Sequence, residues 1–296
     1  MNDQSHIQAL EETGNYRIIK QFQPVSCYNQ DASHKADKKI GIFLDTETTG
    51  MNADTDKIIE LAMVPFEFDS EGNIYNLLQG YNSFNDPQTA ISEEITKITG
   101  ITNAMVKGQA IDLEKVKALL NDAVLVIAHN AQFDRPFCEK LTEAFEDIAW
   151  GCSMQDIPWR EEGIESTKLE YLAYRYGFFY EGHRAEIDCQ AGIEILSRQL
   201  SQSKESVLKT LLNNARRSTV RLWAENAPYD CKDILKARGY RWNAGDNGTR
   251  KSWYIDLPEE KLEAELKKLN KDIYQTKQTH LPMEYFNAKK RYSGRG

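Results

Sequence analysis

The chain has 296 residues, of which 41% are hydrophobic and 10% aromatic, and its formal net charge is −8. This composition suffices for a packed core and excludes a globally disordered chain, while the lack of any apolar run near ~20 residues excludes a membrane-spanning helix. The polar N-terminus does not look like a secretion signal, and five scattered cysteines without a CxxC pair argue against disulfide and zinc frameworks, which favours a cytoplasmic protein.

The first predicted elements are a polar N-terminal arm and a buried strand. Residues 1–38 predict a mostly irregular arm with one strand at residues 16–22. Residues 41–50, GIFLDTETTG, begin as an apolar run that is typical of a strand buried on both faces. The run leads into Asp45 and Glu47, which point to the same side because strand side chains alternate. A divalent cation would relieve their repulsion, although a solvated acidic pair in a turn is the alternative.

The next 150 residues predict strands first, and then strands that alternate with helices. The strands are expected at residues 57–68, 74–81 and 123–128, and the helices at residues 92–100, 113–121, 129–141, 167–176 and 183–196. Ser92 and Gly100 are the expected N-cap and stop of the first of these helices. This order predicts an α/β fold with a mixed sheet flanked by helices.

Further polar residues follow the ends of these predicted elements. Asp134 lies in the helix after the second apolar strand, and His183 and Asp188 lie around the start of the last helix. Carboxylates that share a cleft without a lysine need a cation, and two Mg²⁺ or Mn²⁺ ions ~4 Å apart would support phosphodiester hydrolysis. A loop histidine could take a proton from water. Taken singly, Asp134 could equally be a helix cap, Asp188 a surface acid and His183 an ordinary loop residue.

Three motifs carry a family resemblance. DTETTG, HNAQFD and HRAEID, in this order, resemble the motifs of the DEDDh 3′–5′ exonucleases, which include the proofreading epsilon subunit of the bacterial replicative polymerase and ribonuclease T. The segment TGITNAMV at residues 99–106 resembles the same family. The resemblance covers about residues 39–200 and implies an RNase-H-like fold.

The resemblance also implies roles for individual residues. Asp45, Glu47 and Asp188 would hold the first of two Mg²⁺ or Mn²⁺ ions, with Asp45 bridging to the second; Asp134 would help to place the second ion, and His183 would be the general base. Five residues would line the terminal nucleotide: Thr46, Thr48, His129, Asn130 and Phe133. His129 competes with His183 as the base, and we favour His183 because its neighbours match the family's mobile HxxxxD element.

The C-terminal third predicts a separate basic module. Residues 1–200 carry a charge of −16 and residues 201–296 a charge of +8, so a polyanion is the expected partner. We expect a helical or partly flexible connector at residues 201–218, a small β-α-β-α module at 219–275, which resembles a module attached to some bacterial nucleic-acid enzymes, and a tail at 276–296. Its predicted nucleic-acid face comprises Arg241, Trp242, Arg250 and Lys251. The alternative is a packing domain whose charge is merely solvated.

These features together predict a metal-dependent 3′–5′ exonuclease that releases nucleoside monophosphates from single-stranded or frayed 3′ ends, with DNA as the favoured substrate. RNA or oligoribonucleotides are the nearest alternative, and an inactive binding subunit is another. Residues 278–283 have the spacing of peptides that bind bacterial sliding clamps, although a plain tail is the alternative. Contact with a clamp or a polymerase is therefore a hypothesis, and no membrane partner is expected.

Overall fold

The structure, a computed structural model, describes residues 3–29, 37–245, 250–275 and 280–294. The chain divides into two compact units, the first formed by Met1–Ala215 with Tyr292–Gly296 and the second by Arg216–Arg291. In the part of the chain that is described, no helix combines the length and the apolar character that crossing a membrane requires.

The first unit is built on a six-stranded mixed sheet. Its strands are β2 (Lys39–Thr48), β3 (Ile58–Phe68), β4 (Ile74–Leu77), β5 (Tyr81–Phe84), β6 (Leu125–Ala128) and β7 (Ala149–Cys152). They are arranged in the order β4–β3–β2–β6–β7, with β5 also paired to β3. β3 runs antiparallel to β2, β4 and β5, whereas β6 and β7 continue the sheet in parallel. A separate parallel pair joins β1 (Lys20–Gln21) to β8 (Phe178–Phe179).

Helices cover both faces of this sheet. The helix α1 (Asp3–Glu12) lies in the N-terminal arm, and the covering helices are α2 (Glu93–Thr99), α3 (Asn103–Val106), α4 (Leu113–Asp122), α5 (Ala131–Leu141), α6 (Leu169–Arg175), α7 (Ala185–Leu196) and α8 (Val207–Arg216). The predicted caps of α2 are confirmed: Ser92 accepts a hydrogen bond from the Ile95 amide, and Gly100 ends the helix in the left-handed conformation. The predicted α/β class with a mixed, helix-flanked sheet is likewise confirmed.

Two of the hydrophobic cores of the first unit lie on opposite faces of β2. Phe43 belongs to a core formed with α6, α7 and α8, whereas its neighbours Ile42 and Leu44 belong to a core formed with α4 and α5. All three side chains are fully buried. The strand is therefore covered on both faces, as its unbroken apolar run predicted.

Three segments of the first unit differ from expectation. Residues 1–38 contain the helix α1, and the strand expected at residues 16–22 is only the two-residue β1. The strand expected at residues 74–81 is divided into β4 and β5, because Pro65 of the opposite strand has no amide to donate to the ladder. Residues 201–218, expected as a helical or partly flexible connector, do contain a helix, α8, but its Leu208 and Leu211 are buried in the first unit's core.

The second unit contains a four-stranded antiparallel sheet with helices. The strands are β9 (Thr219–Ala224), β10 (Arg241–Asn243), β11 (Ser252–Pro258) and β12 (Met283–Phe286), in the order β10–β11–β9–β12, and the helices are α9 (Lys232–Ala237) and α10 (Leu262–Leu269). The predicted β-α-β-α pattern corresponds to β9, α9, β11 and α10. β10 and β12 were missed, since β10 is very short and β12, in the expected tail, pairs with β9, far away in the chain.

Candidate active site

The site begins at the end of β2, where Asp45 and Glu47 project from the same face. Carboxylate oxygens of these two residues and of Asp188 on α7 all lie within 4.8 Å of one another. This face packs against α7. Asp45 and Glu47 are two and four residues after the buried Phe43, so their side chains point to the same face of the strand as the Phe43 ring. The alternation read from the sequence thus brings the two acids of the first motif to the helix that carries the acid of the third motif, Asp188.

A close approach of α7 to β2 sets the position of Asp188. At Gly192, one turn after Asp188, an added Cβ would lie only 2.2 Å from the Phe43 ring, so only glycine allows the helix this near the strand. The carboxylate is then oriented by two donors: the Tyr180 hydroxyl donates to Oδ1 at 2.9 Å, and the Arg184 amide donates to Oδ2 at 3.0 Å. These bonds fix the rotamer of Asp188 toward the cleft.

Asp134 reaches the same edge from the opposite face of the sheet. It lies in the first turn of α5, is almost fully buried, and accepts hydrogen bonds through Oδ1 from the Thr46 amide at 3.1 Å and the Thr46 hydroxyl at 2.8 Å. Thr46 lies between Asp45 and Glu47, so its side chain points to the opposite face of the strand, toward α5. Asp134 is thereby tied to the strand end that carries the other two acids.

Burial and mutual repulsion make this cluster hard to ionise. Burial, followed by the charges of Asp134, Asp188 and Glu47, raises the pKa of Asp45 well above its usual range. Burial and the Asp188 charge raise the pKa of Glu47 to about 8, and burial raises that of Asp134 to about 7 against the opposing hydrogen bonds from Thr46. A set of crowded carboxylate oxygens fits a hard divalent cation, which would restore the charged forms.

His183 lies beside this cluster on the loop between β8 and α7. Its side chain is 54% exposed, and its Nε2 is 3.9 Å from Oε1 of Glu170. Its backbone has φ +66°, in the left-handed region that non-glycine residues seldom adopt. The imidazole is therefore free to approach a bound substrate from an unusual backbone position.

His129, the competing base candidate, is engaged on both ring nitrogens. Nε2 lies 2.7 Å from the Thr167 carbonyl oxygen, which can only accept, so Nε2 carries the proton and donates. Nδ1 then accepts from the Ser153 hydroxyl at 2.9 Å. Burial lowers the pKa of His129 to about 4, so the ring is neutral and serves to tie the end of β6 to neighbouring segments.

A cleft of about 480 Å³ joins these groups, and we call it the catalytic cleft. It is lined by all five predicted catalytic residues, Asp45, Glu47, Asp134, His183 and Asp188, and by four of the predicted nucleotide-lining residues, Thr46, His129, Asn130 and Phe133. Thr48 lies apart from this lining: it is the last residue of β2, it is buried, and its hydroxyl donates to the Gly50 carbonyl at 2.6 Å.

Several residues around the cleft were not found from the sequence. Glu60 on β3 is opposite Glu47 in register, is buried, and forms an ion pair at 3.2 Å with the guanidinium of Arg184. Tyr180 holds Asp188, as described above, and Glu170 faces His183. Tyr180 and Arg184 lie close to His183 in the sequence, and Glu60 is an acid within the buried apolar run of β3, which is a signal that it has a partner.

The predicted nucleic-acid face belongs to the second unit, and its residues do not share one side of the sheet. Arg241 pairs with Asp256 at 2.8 Å, whereas Trp242, the next residue of β10, projects to the opposite side and meets Trp253 edge-on. Arg250 pairs with Glu225 at 2.5 Å. Trp242 is 51% exposed and Lys251 is exposed, so these two remain accessible.

The sliding-clamp hypothesis falls partly outside the described residues. Gln278 and Thr279 lie outside them, and His280 and Leu281 precede β12. Met283, the last residue of the proposed peptide, is half-buried and pairs with Leu222 of β9. Its position within a sheet differs from the free tail that the hypothesis assumed.

Comparison with known proteins identifies relatives of the first unit. DNA polymerase III PolC-type of Clostridium perfringens is 34% identical over 173 residues, which are 56% of this chain and 12% of the polymerase. The Staphylococcus aureus polymerase of the same name is 32% identical over 198 residues, 62% of this chain and 12% of its own length. The chain thus spans only a small part of these curated relatives.

Solved exonuclease structures are also similar, at low identity. E. coli Exonuclease I in complex with a 5cy-dA13 oligonucleotide gives a TM-score of 0.48 at 16% identity, covering 74% of this chain and 63% of that one. Exonuclease X in complex with 5′ overhanging duplex DNA gives 0.39 at 22% identity, covering 57% and 99%.

The family assignment rests on the region that contains the catalytic cleft. The profile of the exonuclease family matches residues 42–196, just over half of the chain. This range includes all three motifs and every residue of the acidic cluster. The chain therefore belongs to the exonuclease family, as its motifs predicted.

Proposed function

We propose that the chain removes nucleoside monophosphates from the 3′ end of single-stranded DNA, with His183 as the general base. The observation that supports this most strongly is the cluster of Asp45, Glu47 and Asp188 oxygens within 4.8 Å, in one cleft with a half-exposed histidine. Such a combination suits in-line displacement at phosphorus, which needs a cation site and a nearby base.

Asp45, Glu47 and Asp188 would hold the first of two Mg²⁺ or Mn²⁺ ions, and Asp134 would help to hold the second. Bound there, the ions would neutralise the acids and stabilise negative charge on the reacting phosphate. The raised pKa values of Glu47 and Asp134 support this assignment, because a bound cation stabilises the charged forms that burial disfavours in both residues and that the Asp188 charge further disfavours in Glu47.

The residues of the catalytic cleft have separate roles in the proposed reaction. His183 takes the proton of the attacking water as the new oxygen–phosphorus bond forms, and the bond from phosphorus to the 3′ oxygen breaks. The 3′ oxygen leaves with the shortened strand, and the phosphate leaves on the 5′ carbon of the released nucleotide. His129 does not compete for this proton because both of its nitrogens are already hydrogen-bonded.

DNA is the favoured substrate because the curated relatives that this chain matches, over 12% of their length, are DNA polymerases. RNA is the second candidate, and recognition of the 2′-hydroxyl decides between them. The five cysteines, which are all free, support a reducing cytoplasmic environment. In the second unit, Trp242 and Lys251 would add contacts to the single strand, and contact with a polymerase or a sliding clamp remains a hypothesis.

The test is degradation of matched 5′-labelled DNA and RNA single strands with magnesium, with manganese and with a chelator. We expect stepwise shortening from the 3′ end, faster on DNA, and no shortening with the chelator. Asp45→Asn should abolish the reaction, whereas Glu94→Asn, an equivalent loss of one exposed charge on α2, should not. Internal cleavage, or substantial activity in Asp45→Asn, would contradict the proposal.

A further inference from the structure

The N-terminal arm, which precedes the family-matched region, is joined to the strand that leads into the His183 loop. We use that name for residues 180–184. β1 pairs in parallel with β8, and hydrogen bonds run from the Lys20 amide to the Gly177 carbonyl at 3.0 Å and from the Phe22 amide to the Phe179 carbonyl at 2.8 Å. In the described part of the chain, β8 pairs with no other strand.

Side chains of the arm reinforce this pairing. The Arg17 guanidinium donates to the carbonyls of Tyr174, at 3.0 Å, and Arg175, at 2.6 Å, in the last turn of α6. Phe22 is buried, with its ring centroid 5.3 Å from that of Phe178. The arm thus contacts both the C-terminal end of α6 and the strand β8, which precede the His183 loop in the chain.

The loop has a second anchor on its other side. Arg184 binds Glu60 through its side chain and Asp188 through its amide, which fixes the start of α7. Tyr180, next to β8, binds the Asp188 carboxylate. Between these anchors lie only three residues, and His183 is held there at φ +66°. Because the segment is so short, a shift of β8 must be passed on to His183 and Tyr180.

We propose that the arm is a positioning element for the catalytic histidine: by pairing with β8, it holds the His183 loop in register with the acidic cluster. The proposal rests on the proposed role of His183 as the base. Arg17 and Phe22 act through the loop and are positioning residues, since neither lines the catalytic cleft. Misplacement of a catalytic group by about 1 Å can cost about 100-fold in rate.

The experiment compares full-length Phe22→Ala and Arg17→Ala with the wild type by turnover and by hydrogen exchange of residues 178–184. We expect kcat to fall about 10- to 100-fold in Phe22→Ala, with KM little changed, and exchange in the loop to accelerate. Phe22→Leu should restore most of the rate because it keeps an apolar group of similar size. Asn29→Ala, which removes an arm contact to Ile74 away from the loop, is the matched control and should leave both readings unchanged.

A double-mutant cycle with His183→Ala separates the arm's role from general destabilisation. If the arm acts through His183, Phe22→Ala should lower the rate little further in the His183→Ala background. An equal loss in both backgrounds, or unchanged loop exchange in both arm variants, would overturn the proposal. If His183→Ala itself leaves kcat intact, the proposed base is wrong, and loop exchange still decides separately whether the arm holds the loop. Arg17→Ala, the milder change, covers the case in which Phe22→Ala does not fold.

Discussion

Several residues of the catalytic cleft adopt arrangements that lower the folding stability of the protein. Asp45, Glu47 and Asp188 crowd their charges at the end of a buried strand, and the nearest cation, Arg184, is committed to Glu60. His183 takes an unfavourable backbone conformation, whereas His129 is fully satisfied by its neighbours. Costs of this kind concentrate where a ligand is expected to relieve them.

The first prediction concerns the pH dependence of stability in the metal-free protein. The pKa of Glu47 is about 8 in the folded state against an ordinary 4.5, so between these values the folded protein keeps a proton that the unfolded chain has lost. The free energy of unfolding should therefore fall as pH rises through this interval. Glu47→Gln should make the fall smaller in denaturant unfolding with a chelator. Glu94→Gln, an exposed glutamate, is the control, and an unchanged slope in Glu47→Gln would refute the assignment.

The second prediction separates the two histidines. His183→Ala should lower turnover ~10²–10⁴-fold, the usual share of general acid–base catalysis, with little change in the free energy of unfolding. His129→Ala should instead lower that free energy by about 1–3 kcal/mol, because it leaves Thr167 and Ser153 without their buried partner. Rate assays and chemical unfolding on both variants are the measurements. A larger rate loss in a still-folded His129→Ala would reverse the roles.

At the level of elements, the contact between α7 and β2 determines the geometry of the cluster. The helix approaches the strand at Gly192 and Phe43, and one turn earlier it presents Asp188 to Asp45 and Glu47. On the other face, α5 is tied to the strand through Asp134 and Thr46. The acidic site is therefore an outcome of packing two helices on opposite faces of one strand.

The third prediction tests this packing. Gly192→Ala should force α7 away from β2, since the new methyl group would overlap the Phe43 ring. We expect a loss of about 1–3 kcal/mol in the free energy of unfolding and weaker magnesium binding, because Asp188 would move away from its partners. Adding Phe43→Leu should recover part of both losses by making room. Unchanged magnesium affinity in Gly192→Ala would show that the contact does not position Asp188.

At the level of the whole molecule, charge is divided between the two units. The second unit, Arg216–Arg291, has 17 lysines and arginines against 11 acidic residues, while the chain as a whole is at −8. Part of that positive charge is compensated within the unit, as the pairs of Arg241 with Asp256 and of Arg250 with Glu225 illustrate. A nucleic acid would contact the positive charge that is not compensated within the unit.

The fourth prediction concerns single-strand binding by the second unit. Lys251→Ala should weaken DNA affinity and reduce the slope of log K against log salt by about 0.7, the value for one phosphate contact on a single strand. Trp242→Ala should cost about 1–3 kcal/mol if its exposed ring stacks on a base. Tyr285→Ala, an exposed aromatic on β12, is the control. Unchanged affinity and slope in the first two variants would favour a packing role for the unit.

The sequence alone determined the features that depend on neighbouring residues. The apolar run before Asp45 marked a buried strand, alternation put Asp45 and Glu47 on one side, and Ser92 and Gly100 marked a helix that the structure confirms. The three motifs also identified the family before any fold was known. Local backbone geometry suffices for such inferences, because strand parity and helix caps are fixed within a few residues.

Only the tertiary structure decided the features that depend on residues far apart in the chain. It incorporated α8 into the core, paired β12 with β9, joined Glu60 to Arg184, and engaged both nitrogens of His129. Each of these contacts joins segments whose own sequence patterns are short or polar. Such patterns do not predict which distant segment will be contacted. Which segments meet depends on how the whole core packs, so the sequence could propose the acids and the histidine, and the fold selected what holds them.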